Sequence, residues 1–200
     1  MAVETDLINV ALAHIGHEPI TSLDLQNNSV AETARRLYPT TRDDALRVVH
    51  WNCATWRQTL ATEVAGYDSA EEWTHAYQLP RDPYCLKARR FAGTYYRTWT
   101  RFHPRKVPFR VEGRVLLTND ANPVLVYTRR LEDVNMFDPS LYNAVAVLLG
   151  SFFAVAIRKD YKLQGQLFSI WERLRDEAAG IDEAEGGHDE YVSAELLFHR

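Results

Sequence analysis

The sequence predicts an α+β protein: an antiparallel helix bundle with an inserted antiparallel β meander. Three observations point there. Apolar residues recur at helical spacing over 5–15 and 29–50, and again over 139–157 and 162–179. Over about 73–128 the pattern shifts toward alternation, with many aromatic and β-branched residues. Turn formers at Glu112-Gly113-Arg114 and Asn119-Asp120-Ala121-Asn122-Pro123 cut that middle region into short strands. Residues 1–180 are expected to form one domain, with 181–200 as a flexible C-terminal tail.

The first helix, roughly Thr5 to Ile15, sets Leu7, Ile8, Ala11, Leu12 and Ile15 on one stripe. Gly16 suits the left-handed position just past a helix end, where a side chain clashes. Ser29 and Glu32 have capping-box spacing for the second helix, whose apolar side is Ala34, Leu37 and Tyr38. Pro39 removes a backbone donor and presses on the preceding turn, so the helix is expected to kink or restart there. Thr41 would cap the restarted part, with Asp43 and Asp44 favoured in its first turn by the helix dipole.

The expected strands are Trp73 to Leu79, stopped by Pro80, then Tyr95 to Phe102, Phe109 to Val111, Val115 to Thr118 and Val124 to Thr128. Asp138-Pro139 places a capping oxygen before a proline at the first helical position. The third helix follows with Leu141, Val145, Leu148, Leu149, Phe152, Phe153 and Ala156. The fourth repeats Leu163, Leu167, Ile170, Trp171, Leu174 and Ala178.

Composition narrows the function classes. A chain of 200 residues, 46% hydrophobic and 25% charged, can enclose a sizeable core. The longest apolar stretch, Ala144 to Ile157, is shorter than the roughly 20 residues that cross a bilayer. It reads as a core helix, and no membrane partner is expected. The N-terminus lacks the cationic and apolar regions of a signal peptide. A net charge of −4 opposes general nucleic-acid affinity.

The distribution of charge is more informative. Residues 1–80 hold five basic and eleven acidic side chains. From Arg81 to Arg114 the balance reverses: ten Lys and Arg face only Asp82 and Glu112. Acids dominate again from Glu172. Blocks of opposite sign suit side-by-side packing of identical copies, and Arg89, Arg90, Arg97, Arg101 and Arg105 are the candidate contacts to neighbouring subunits or a further partner.

No catalytic constellation accompanies these features. His14, His17 and Glu18 are close in sequence but lack the ligand spacing and additional donors that a metal needs. Asp43 and Asp44 are adjacent, so they point apart and cannot act as a carboxylate pair. Cys53 and Cys85 have no partner spacing for zinc or for a disulfide framework. No glycine-rich phosphate loop and no nucleophile elbow occurs. No enzyme, cofactor or metal site is expected.

Several segments together resemble the tail tubular protein A family, the head–tail adaptors of short-tailed bacteriophages. They are Glu4-Thr5-Asp6-Leu7-Ile8-Asn9, Ile15-Gly16-His17-Glu18-Pro19-Ile20, Leu37-Tyr38-Pro39-Thr40-Thr41-Arg42-Asp43, Trp51-Asn52, Tyr77-Gln78-Leu79-Pro80 and Val126-Tyr127-Thr128-Arg129-Arg130. They run in the family's order from Glu4 to about Trp171. His50 and Cys53 stand where family members often carry Pro and Phe.

The resemblance implies a homo-oligomeric ring, typically of twelve copies, between the portal protein and the tail nozzle protein of a virion. DNA would pass through its channel without specific binding. It also implies a C-terminal segment reaching onto the portal, which here is carried by Tyr191, Leu196, Leu197, Phe198 and Arg200. An apolar end after a linker independently suits a groove on a partner. Two other readings stay open. One is a nucleic-acid-binding module that uses the basic aromatic segment 81–114, with Tyr95, Tyr96 and Trp99 as stacking platforms. The other is an enzyme whose site brings Cys53 to a distant His.

Overall fold

The computed structural model of the chain describes residues 4–23, 29–61, 63–67, 72–92, 95–98, 101–104 and 107–185. Two helices, α1 (Glu4–His14) and α2 (Ser29–Val48), come first. Eight strands follow: β1 (Thr55–Thr59), β2 (His75–Gln78), β3 (Cys85–Phe91), β4 (Tyr95–Thr98), β5 (Arg101–Pro104), β6 (Phe109–Glu112), β7 (Val115–Thr118) and β8 (Val124–Arg129). Two more helices, α3 (Pro139–Ala156) and α4 (Tyr161–Glu185), close the described chain.

The helical layer is organised by α3, which carries no charged residue. Its start is fixed locally: Asp138 Oδ1 accepts the Leu141 amide at 2.7 Å, and Pro139 fills the first turn. By length and composition α3 could cross a membrane, and 61% of it is buried inside the fold. Helices α1, α2 and α4 each pack on it. Leu141, Val145, Leu149 and Phe153 are fully enclosed. At the α1–α3 crossing, a Cβ on Gly150 would lie 3.2 Å from the Ala11 carbonyl oxygen and 3.2 Å from His14 Cβ. Glycine there lets the two backbones approach closely.

The exit from α1 is equally specific. Gly16 adopts φ +64°, the left-handed conformation that ends the helix. Arg158, just after α3, donates through Nη1 to the Ile15 carbonyl. The Asn9 side chain accepts from the Ile20 amide at 2.8 Å and donates to the Ile20 carbonyl at 3.0 Å, so the loop folds back on its helix.

The helix expected over 29–50 is α2, Ser29–Val48, with Pro39 inside it and no restart there. Its buried residues Ala31, Ala34, Tyr38, Thr41, Ala45 and Leu46 keep helical phase across the proline. Burying that stripe on one partner holds both halves in one helix. Thr41 therefore caps nothing; its hydroxyl donates back to the Leu37 carbonyl at 2.8 Å. Ser29 is the first described residue of the helix. The expected break at Gly180 is also absent, because Ile181-Asp182-Glu183-Ala184-Glu185 continues α4.

The bundle with a single inserted meander is wrong as an architecture. The strands form two small three-stranded antiparallel sheets, ordered β1-β8-β3 and β2-β7-β6, and a separate β4-β5 hairpin. The stretch Tyr95 to Phe102, expected to be one strand, is the start of that hairpin. Only β6 and β7 pair as expected, around Gly113 at φ +59°. The physical reason lies in β7 and β8. Val-Leu-Leu-Thr and Val-Leu-Val-Tyr-Thr-Arg are apolar on both faces and nearly wholly buried. Such strands belong at sheet centres, so each gathers two more polar strands as edges. The two sheets enclose a second core of Leu60, Tyr77, Leu79, Cys85, Phe91, Leu116, Leu125 and Tyr127.

Replacing Leu149 by Ala, with no exposed surface in the native state, is expected to cost about 2–5 kcal/mol. Urea denaturation checks this, and a cost below about 1 kcal/mol would mean Leu149 is not packed in the core.

Candidate assembly surface

A polar joint ties the helical layer to the sheets. Asp43 of α2 pairs through Oδ2 with Arg130 Nη2 at 2.7 Å, and through Oδ1 with Arg42 Nη2 at 3.0 Å. Arg130 follows β8, and its amide donates to the Tyr84 carbonyl at 2.8 Å. The Tyr84 ring carries two guanidinium groups, Arg114 at 4.2 Å and Arg130 at 4.3 Å from its centroid. Arg114 leaves the β6–β7 turn and donates to the Cys85 carbonyl at 2.6 Å and the Pro80 carbonyl at 2.7 Å. One chain of contacts thus runs from α2 through β8 and the residues before β3 to the hairpin. Asp43 serves this joint rather than the first turn of a restarted helix. Beside the joint lies a cleft of about 640 Å³ whose lining includes Asp44, Arg47, Lys87 and Val111.

The β1-β8-β3 sheet has an unbalanced charge. Its three strands hold five cations, Arg57, Lys87, Arg89, Arg90 and Arg129, and no acid. Three of these are engaged within the chain. Arg89 donates to Thr128 Oγ1 at 2.8 Å and Thr55 Oγ1 at 2.7 Å, spanning all three strands. Lys87 donates to the Arg47 carbonyl at 3.2 Å. Arg129 lies 4.7 Å over the Trp56 ring. Arg57 and Arg90 are exposed and have no carboxylate partner among the described residues.

The expected contact residues therefore separate. Arg89 braces its own sheet and Arg90 faces solvent. The backbones of Arg97 and Arg101 lie in β4 and β5. Arg105, Trp99 and the tail residues Tyr191, Leu196, Leu197, Phe198 and Arg200 lie outside the described residues. Sequence reading missed Trp56 and Met136, which come together at Arg129 only because β1 pairs with β8, and Arg57, which leaves the other face of β1. Their sole local signal was a Trp-Arg pair in an otherwise polar run.

The groups considered for chemistry are occupied otherwise. The Cys53 thiol donates to Asp138 Oδ2 at 3.0 Å. His17 Nδ1 lies 2.8 Å from the Glu18 carbonyl oxygen. Burial holds the His14 imidazole below its ordinary pKa. Among the described residues no three of His, Cys, Asp and Glu come together as a metal site. Burial pushes the Cys85 thiol up to about 11, against the pull of Arg114. Burial likewise raises Tyr127 to about 12. No family model matches the sequence, and no curated protein matches it.

Two predictions follow from these contacts. Tyr84→Phe keeps the ring between its cations and is expected to be nearly neutral. Tyr84→Leu loses both cation–π contacts and is expected to cost about 1–2 kcal/mol in a denaturant titration. Cys85 and Tyr127 hold their protons more tightly folded than unfolded, where the ordinary values are 9.0 and 10.0. The stabilisation is fully present below pH 9 and is lost as pH rises through about 11 to 12. Urea midpoints across that range are expected to fall, and by less in Cys85→Ala.

Proposed function

We propose that the chain is a head–tail adaptor: a structural virion protein that forms a ring between portal and tail nozzle, seals the DNA channel and provides a platform for tail assembly. One observation carries the reading. The segments that resemble the adaptor family supply the joints of this fold, in order along the chain. Asn9 and Ile20 lock the α1 exit. The Trp51 indole donates to the Ala45 carbonyl at 2.9 Å and closes the end of α2. Tyr77 fills the second core, and its hydroxyl accepts the Asn122 amide at 2.9 Å. Tyr127 and Arg130 connect β8 to the residues around Tyr84.

A scaffold function fits this use of residues. Conspicuous polar side chains such as Arg89, Arg114 and Asp43 brace backbone and neighbouring charges. Their fixed positions hold surfaces in place, which is what a mating part requires. Portal-templated assembly would follow from effective concentration, because one seated copy raises the local concentration seen by the next.

The test is co-sedimentation with portal rings, using the full chain and a chain that ends at residue 190. The full chain is expected to sediment with the portal, and the shortened chain to stay in the supernatant with an unchanged unfolding midpoint. Docking by the shortened chain would remove Tyr191 to Arg200 from the contact. Failure of the full chain to bind would overturn the adaptor reading.

A further inference from the structure

The β1-β8-β3 sheet has two unlike faces. Residues directly opposite each other in an antiparallel ladder share a face. Cys85, Ala88 and Phe91 of β3 thus share one with Tyr127 and Leu125 of β8, and that face closes the second core. The other face carries Arg57 and Thr59 of β1, Val126 and Thr128 of β8, and Lys87 and Arg90 of β3. Arg89 joins it from the irregular stretch of β3, through its bond to Thr128 Oγ1. Four cations therefore stand on this face, and the three strands contain no acid.

Two of the four are held within the chain. Arg89 is braced by threonine hydroxyls, and Lys87 bonds the Arg47 carbonyl and shares its cleft with Asp44. Arg57 and Arg90 differ. Both are exposed, both lie in register with Val126 from opposite sides, and neither has a carboxylate partner among the described residues. With neighbouring strands about 4.8 Å apart, their bases are roughly 10 Å apart. Solvated surfaces ordinarily intersperse charges of both signs. Here like charges flank one strand in a chain whose net charge is −4, an arrangement that matches a ligand supplying the negative charge.

We infer that this face contacts the phosphate backbone of duplex DNA without reading its sequence. Arg57 and Arg90 meet phosphates, and Lys87 and Arg89 add to the field. Three features select that ligand. A protein partner buries an apolar centre, and this face offers none: Val126 is 3% exposed, and Trp56 leaves the opposite face. A single strand stacks its bases on aromatic rings, and the face bears no ring. A duplex backbone requires only cations and hydrogen-bond donors, and Thr59 is exposed two residues from Arg57 on the same face. The roughly 10 Å between the two arginines spans about three phosphate steps along one strand. The inference deepens the adaptor reading and rests on it for the choice of DNA. A contact of two phosphates per copy is weak, so DNA can slide past it.

The test is fluorescence anisotropy of a labelled DNA duplex of about 20 base pairs, titrated with the full chain at salt from about 20 to 150 mM and without portal. The chain is expected to bind at low salt, equally for two unrelated sequences, and to release the duplex as salt rises. Arg57→Gln with Arg90→Gln is expected to weaken low-salt binding about ten-fold or more and to flatten the slope of log affinity against log salt by about two, one for each lost phosphate. Both side chains are exposed, so the unfolding midpoint is expected to hold. Arg129→Gln removes a cation from the opposite face and is expected to leave binding unchanged. No binding at low salt, an unchanged slope in the double variant, or an equal loss in Arg129→Gln overturns the assignment. Tighter binding of polyglutamate than of the duplex would give the face to an acidic protein and also overturn it. A chain that fails here yet sediments with the portal loses this contact and keeps the adaptor reading.

Discussion

An uncharged helix of eighteen residues must bury most of its apolar surface, and much of this fold follows from that constraint. Covering α3 takes the apolar faces of α1, α2 and α4 together with Trp51, Leu131 and Val134. Burying such a face stabilises by about 25 cal/mol per Å², which is why the helical layer forms as one body. With those faces engaged, the sheets build a core of their own. What joins the two bodies is partly apolar, with Leu86 of β3 buried in the helical core, and partly polar: Asp43 to Arg130, and the Tyr84 ring between Arg130 and Arg114.

A polar joint has consequences that an apolar one does not. Charged hydrogen bonds and stacked guanidinium groups are directional, so they fix the angle between helices and sheets rather than merely holding them together. For a protein read as a mating part, the relative placement of its contact surfaces is the property that matters. Arg89, Arg114 and Asp43 would be misread as active-site groups from charge alone, yet their partners are backbone carbonyls, hydroxyls and each other's neighbours.

Features encoded within a few residues could be read from the sequence. The Asp138-Pro139 start of α3, the left-handed Gly16 and the Gly113 hairpin each depend on local chemistry. The phase of the α2 stripe across Pro39 was also present in the sequence, but the proline's local cost drew the reading toward a break. Strands β1 and β3 escaped because Thr-Trp-Arg-Gln-Thr is mostly polar, Cys-Leu-Lys-Ala-Arg-Arg-Phe holds three cations, and β3 has two register shifts that break its alternation. Their partner β8 lies about 35 to 70 residues away, a distance that no local pattern reports. The candidate surface shared this fate. Arg90 was visible in the basic block, but its pairing across Val126 with Arg57 exists only once the register is known. The neighbouring Trp56–Arg129–Met136 cluster likewise needs the β1–β8 pairing.

The account stands on one claim, that this chain assembles into a ring on the portal. Electron microscopy of the full chain bound to its portal tests it most directly. The account predicts a closed collar under the portal built from copies of this chain. Isolated copies on the portal, with no closed collar, would contradict it.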